Sequence, residues 1–266
     1  MDLELTGKVA LVSGGSRGIG KAIARQLTFE GADVVIAARN AERLQATAAE
    51  LAEESGRRIV PLTVDTGDDA SVATLIAGAI AALGRIDILV NAAAQPGGQT
   101  APPKLGEITN QLFWDDVNVK VLGYVRTARE VAPHMIEQGW GRIINISGLA
   151  ARNTGSMIGS MRNVAVAALG KNLADELGPH GITVNTIHPG STRTERTAGR
   201  VAQLAQERGV SEAEIERQLG AANAVGRMID ASEISWVVAF LASPKSIAIN
   251  GDSIAVAGGE KGHIYY

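Results

Sequence analysis

The sequence of 266 residues contains no cysteine, which excludes disulfides, thiolate metal ligands and thiol catalysis and suits a reducing, cytoplasmic setting. Its four histidines are scattered and form no metal-ligand cluster, so no metal is expected. No apolar run reaches the roughly 18 residues that a membrane span needs. The opening MDLELTGK has neither the basic flank nor the apolar stretch of a secretory signal. The formal net charge is only −3, which gives no electrostatic case for nucleic acid or an anionic membrane as partner. Tyrosine occurs only at 124, 265 and 266. What remains is expected to be one α/β domain over residues 1–266, long enough for a substantial core.

The chain is organised around VALVSGGSRGIG, residues 9–20. The unbroken apolar run from Val9 to Val12 reads as a strand buried on both faces. Gly14, Gly18 and Gly20 then mark a turn that opens a helix to about residue 30. Glycine permits the tight turn and lets backbone amides approach a phosphate, which sits on the N-terminal end of the helix. A plain strand-to-helix connection is the other reading of such a turn.

Further strands are expected at 33–38, 59–64, 86–90, 141–147, 182–187 and 253–256. The intervening helices begin near Asn40, over 70–83 and over 163–177, with Gly84 closing the second. A long helix from Asn110 or Phe113 to Gly139 is expected to kink or divide at Pro133. Another helix spans 231–241, with Ser232 as a possible cap. The alternation predicts a doubly wound, three-layer Rossmann-type α/β fold with a mainly parallel sheet. Residues 95–103 read as an irregular loop beyond a strand end, a usual place for a substrate pocket. Residues 192–228 read as a polar, helical, substrate-covering segment.

Several signatures occur in order: SGGSRGIG at 13–20, Asp65, NAAA at 91–94, Asn118, IINIS at 143–147, HPG at 188–190 and GRMIDASEISWVVAFLAS at 226–243. Through them the chain from Gly7 to Gly259 resembles the short-chain dehydrogenase/reductase superfamily, in particular its 3-oxoacyl-ACP-reductase-like members. The resemblance implies seven strands and a nicotinamide cofactor across their ends. It places Gly14, Ser16, Gly18, Ile19 and Gly20 around the pyrophosphate and ribose, Asp65 at the adenine, and Asn91 and Ala92 along the adenosine. Pro189, Gly190 and Thr194 would cover the nicotinamide. Where an acid would repel a 2′-phosphate, this chain has Ala38 and Arg39, with Arg17 in the glycine turn. Two guanidinium forks can converge on one phosphate, so NADP(H) is favoured over NAD(H).

The family's chemistry uses a serine, a tyrosine and, four residues on, a lysine. By resemblance those positions hold Gly148, Gly159 and Asn163, and the nearest lysine is expected to be Lys171. Asn163 can still bond a ribose but carries no charge. Ser147 (with Ser156 and Ser160 nearby), Arg162 and His188 are candidate catalytic groups. Asn118 matches a residue that in relatives holds a relay water; equally, it reads as a buried amide in an irregular helix. Tyr124 reads as packing, and Tyr265 and Tyr266 could reach a neighbouring subunit's site. The leading expectation is an NADP(H)-dependent oxidoreductase of carbonyls or secondary alcohols with an atypical centre. Alternatives are a cofactor-binding sensor, scaffold or silent partner, and a non-redox enzyme on the same fold. A homotetramer is expected, with a homodimer as the other possibility.

Overall fold

Strands that are apolar throughout can be buried only if helices cover both faces of their sheet. The computed structural model, which describes residues 1–95, 101–262 and 264, has this arrangement. Its strands are β1 (Val9–Ser13), β2 (Asp33–Ala38), β3 (Ile59–Thr63), β4 (Ile88–Asn91), β5 (Gly141–Ile146), β6 (Ile182–Pro189) and, after a two-residue pair described below, β9 (Ser253–Val256). These seven form one parallel sheet in the order β3-β2-β1-β4-β5-β6-β9. Helices α1 (Gly18–Phe29), α2 (Ala41–Ser55) and α9 (Ala231–Ala242) pack one face, through Ile23, Leu27, Leu44, Leu51, Ile234 and Val238. On the other face lie α3 (Asp69–Leu83), α5 (Gly123–Gln138) and α6 (Met157–Leu177), through Leu75, Ile76, Val131, Met135 and Leu177. The expected three-layer fold is therefore present.

Several boundaries differ from expectation for local reasons. Helix α6 begins at Met157, ahead of the expected residue 163, because the Ser156 hydroxyl accepts the Gly159 N–H at 3.1 Å. Strand β4 starts at Ile88 because Asp87 turns its carboxylate back to accept the Val9 N–H at 2.9 Å and to pair with Arg85. Asp230, not Ser232, caps α9; the Glu233 carboxylate accepts the Asp230 N–H at 2.8 Å. The long helix is not divided at Pro133, which lies inside α5. Withdrawing one amide donor leaves the flanking helical bonds to carry the chain through. Its irregularity comes earlier, where α4 (Asn110–Val117) passes through a π-helical turn, Asn118–Leu122, into α5.

Residues 192–228 contain two helices and a short strand. β7 (Thr192–Arg193) pairs with β8 (Ile229–Asp230), and between them α7 (Thr197–Arg208) and α8 (Glu212–Gly220) share a small core of Val201, Leu204, Ala205 and Ile215. Residues 96–100 of the expected pocket loop, and Tyr265 and Tyr266, lie outside the described residues. Among the described residues, no helix is long and apolar enough to cross a membrane, and no His/Asp/Glu group could hold a metal ion.

A buried polar seam joins the centre of the sheet to α5. Asn91 donates to Asn145 Oδ1 at 3.0 Å, and the Thr127 hydroxyl donates to Asn91 Oδ1 at 2.7 Å. All three side chains are fully buried, so each bond replaces water that cannot enter. Thr127→Val keeps the shape and strands the Asn91 carbonyl. It is expected to lower the unfolding free energy by about 1–3 kcal/mol, read as a fall in the denaturant midpoint; an unchanged midpoint would show that the seam is energetically idle.

Candidate active site

The winding of the sheet reverses between β1 and β4, and the carboxyl ends of these strands leave a crevice there. A cavity of about 390 Å³ occupies it. Gly14, Ser16, Arg17, Gly18, Ile19 and Gly20 form its floor, with Arg39, Asp65, Ala92 and Thr194 also in the wall. Two of these glycines are demanded by close approach. A Cβ on Gly14, whose φ is 72°, would lie 2.7 Å from the Ala92 carbonyl oxygen, and one on Gly20 would lie 2.3 Å from the Gly14 oxygen. The turn thus brings β1, β4 and the start of α1 within backbone distance. The Gly18 N–H at that helix start already donates to a carboxylate, Glu195 Oε2, at 2.9 Å, as the positive end of a helix favours.

At the β2 end the wall carries Arg17, Arg39 and Arg43. None of the three has an ion-pair partner among the described residues, and all are exposed. Arg43 was not singled out from the sequence. It is brought there because Asn40 caps α2 by accepting the Arg43 N–H at 2.8 Å, which turns the first helical turn toward the crevice. A dinucleotide carrying a 2′-phosphate fits this wall: a glycine cradle for the pyrophosphate and converging guanidinium groups for the extra phosphate.

Asn91, Asn163, Pro189 and Gly190 are not part of the cavity wall. The Asn91 side chain is consumed by the seam described above, and Asn163 and Pro189 are buried. Gly190 packs against Ala257, where a Cβ would come within 2.7 Å.

Of the candidate catalytic groups only Ser147 lies in the wall. Its hydroxyl donates to the Asn163 carbonyl oxygen at 3.0 Å. Ser156 is the α6 cap, and the Ser160 hydroxyl donates to the Asn153 carbonyl at 2.9 Å. Arg162 is paired with Asp116 at the side of the centre. His188 is 1% exposed, with Nδ1 against the Gly148 carbonyl at 3.1 Å; burial holds its pKa down to about 4, so the ring is neutral at pH 7. Asn118 opens the π-turn and donates to the Gly67 carbonyl at 3.2 Å. Tyr124 is packing, as expected: its buried hydroxyl donates to the Ile146 carbonyl at 2.9 Å, and burial raises its pKa.

The structure corrects the expectation about lysine. Lys171 lies well along α6, exposed and paired with Asp175. The lysine at the centre is Lys120, from the π-turn. Its Nζ donates to the Ser147 carbonyl at 2.8 Å and to Asn163 Oδ1 at 3.0 Å, and the residue is part of the cavity wall. It is 4% exposed, and burial, followed by the nearby Arg162 charge, lowers its pKa to about 7. The only sequence signal for it was a lone cation in the apolar run VNVKVLG.

A family profile described as short chain dehydrogenase matches residues 8–205. The chain belongs to the short-chain dehydrogenase/reductase family. It is 37% identical over 253 residues to the short-chain reductase protein NovJ of Streptomyces niveus, covering 94% of this chain and 93% of that one. It is 30% identical over 255 residues to the NADPH-dependent reductase BacG of Bacillus subtilis, covering 95% and 97%. Its fold is similar to that of L-sorbose reductase from Gluconobacter frateurii, solved in complex with NADPH and L-sorbose, with a TM-score of 0.92 at 28% identity and coverage of 99% and 100%.

Gly148 and Gly159, expected by resemblance at the serine and tyrosine positions, carry no functional side chain. Asn163, expected at the lysine position, accepts from Lys120. The buried cation has a thermodynamic signature. A lysine titrating near 7 when folded and near 10.5 when unfolded binds fewer protons in the native state between those values, so stability climbs as pH rises through that window. The penalty for burying the ammonium is full below pH 7 and relieved by pH 10.5. Wild-type protein is therefore expected to gain stability relative to Lys120→Met between pH 7 and 10 in chemical denaturation. Parallel pH curves for the two proteins would contradict the assignment.

Proposed function

We propose that this chain is an NADP(H)-dependent oxidoreductase that interconverts a small-molecule carbonyl and its secondary alcohol. The observation that carries the reading is the trio of unpaired guanidinium groups, Arg17, Arg39 and Arg43, in the wall of a glycine-cradled crevice. The residue that follows β2 in that wall is Arg39, where a carboxylate would repel a 2′-phosphate. Of the relatives named above, BacG is an NADPH-dependent reductase and L-sorbose reductase was solved with NADPH bound.

In this reading Gly14, Ser16, Gly18, Ile19 and Gly20 cradle the pyrophosphate, and Glu195 must release the Gly18 N–H when an anion arrives. Asp65 and Ala92 bound the adenosine. Thr194 covers the far end with Pro189 and Gly190 behind it. The bound nicotinamide supplies or accepts a hydride. Helices α7 and α8 cover the substrate side within a single domain. Trp114 on α4 and Met161 and Val164 on α6 are exposed apolar side chains, which supports a homotetramer built on these helices.

A charge-assisted bond from guanidinium to phosphate contributes about 1.5–3 kcal/mol, or roughly 10- to 100-fold in affinity. NADPH is accordingly expected to bind at least tenfold more tightly than NADH in a fluorescence titration, and Arg39→Ala to remove most of that preference while sparing NADH. Purified protein is expected to oxidise NADPH with a carbonyl from a panel that includes L-sorbose, a cyclic diketone and a 3-oxoacyl thioester. Equal affinity for the two cofactors, or binding of neither, would overturn the reading.

A further inference from the structure

We propose that Lys120, held by the Ser147 carbonyl and Asn163, is the proton donor and acceptor of this centre, taking the place of the missing tyrosine. The proposal rests on the oxidoreductase reading and adds the group that moves the proton. An ammonium has three N–H donors. Two are engaged, by Ser147 O and Asn163 Oδ1, and the third has no partner among the described residues. The lysine is part of the cavity wall, beside Ser147. The two bonds fix the nitrogen between the end of β5 and α6, so that a carbonyl oxygen entering the crevice there meets a donor already oriented.

The remaining groups around the centre leave this task to Lys120. Asp116 and Arg162 neutralise each other in an ion pair. His188 is neutral and turned to the Gly148 carbonyl; it lies outside the cavity wall. The Tyr124 hydroxyl is committed to the Ile146 carbonyl. Arg152 donates to the Ser253 carbonyl at 2.7 Å, away from the centre. A buried lysine whose charged form is disfavoured gives up a proton readily near neutral pH, which an exposed lysine does not.

In the reduction, the substrate carbonyl carbon gains a hydride, supplied by the nicotinamide cofactor of the proposed function. The π pair of the C=O bond moves onto oxygen, which takes a proton from Lys120 Nζ. The products are the alcohol, the oxidised cofactor and a neutral lysine amine, which regains its proton from water. In the oxidation the same amine accepts the alcohol proton as hydride leaves.

The test compares wild type, Lys120→Met and Lys120→Arg. Arginine keeps the positive charge but cannot act as a proton donor near neutrality. Both variants are expected to lose at least 100-fold in kcat for carbonyl reduction while NADPH affinity, titrated in the same samples, stays within about fivefold of wild type. Wild-type reduction is expected to fall as pH rises through about 7, and alcohol oxidation to rise over the same interval. Full kcat in Lys120→Met, or recovery in Lys120→Arg, beside an active wild type would overturn the role of Lys120 alone. A collapse of cofactor affinity equal to the loss of kcat would assign it to binding and also overturn the proposal. A wild type inactive with every carbonyl would overturn the oxidoreductase reading and the proton step with it.

Discussion

The close approach of three backbones at the reversal point of the sheet is the constraint on which the rest of this structure depends. Gly14 and Gly20 allow the end of β1, the start of α1 and the chain after β4 to meet at distances that no side chain would tolerate. That contact opens the crevice, directs the α1 amides into it and puts the β2 end, with its arginines, at one side. The Asn91–Asn145–Thr127 seam then ties β4 and β5 to α5 beneath the crevice. The position of the π-turn that carries Lys120 follows from this seam, since Thr127 lies on the helix immediately after it.

The glycine turn and Arg17 and Arg39 of the crevice wall were legible because they are local, whereas Asn91, Asn163, Pro189 and Gly190, also expected at the cofactor, are not in that wall. A glycine turn, the residue after β2 and a capped helix start are each contiguous stretches whose backbone demands are written in residue type. Arg43 escaped because its place depends on how the Asn40 cap orients the first turn of α2. The fold was equally legible, since unbroken apolar strands alternating with amphipathic helices admit few arrangements. The misplaced features were ends and irregularities. Ser156 starts α6 early, Asp87 shortens β4, and the long helix is interrupted by a π-turn and not divided at Pro133.

The catalytic half was not legible because it is assembled across the fold. Gly148, Gly159 and Asn163 were read by resemblance as the changed positions of the family pattern, and the lysine that the structure brings beside Asn163 is distant from them in sequence. Along α6 the first lysine is Lys171, on the exposed side. The cation at the centre comes from the neighbouring helix, where the extra residue of a π-turn rotates side chains relative to a regular helix. The exchange is physically coherent. An asparagine at the lysine position gains an acceptor role toward Lys120, and glycine at the serine position, where a Cβ would lie 3.0 Å from Asn163 Nδ2, keeps the asparagine and the β5 end close.

The central claim is that one lysine of this chain is buried at the cofactor crevice with its charge disfavoured. The most direct measurement is an NMR pH titration of protein labelled with 13C at lysine Cε, with the resonance assigned by its loss in Lys120→Met. The account predicts that this one lysine titrates near 7 and that its signal shifts when NADP⁺ is added. A Lys120 resonance that does not titrate near 7 and ignores NADP⁺ would contradict it.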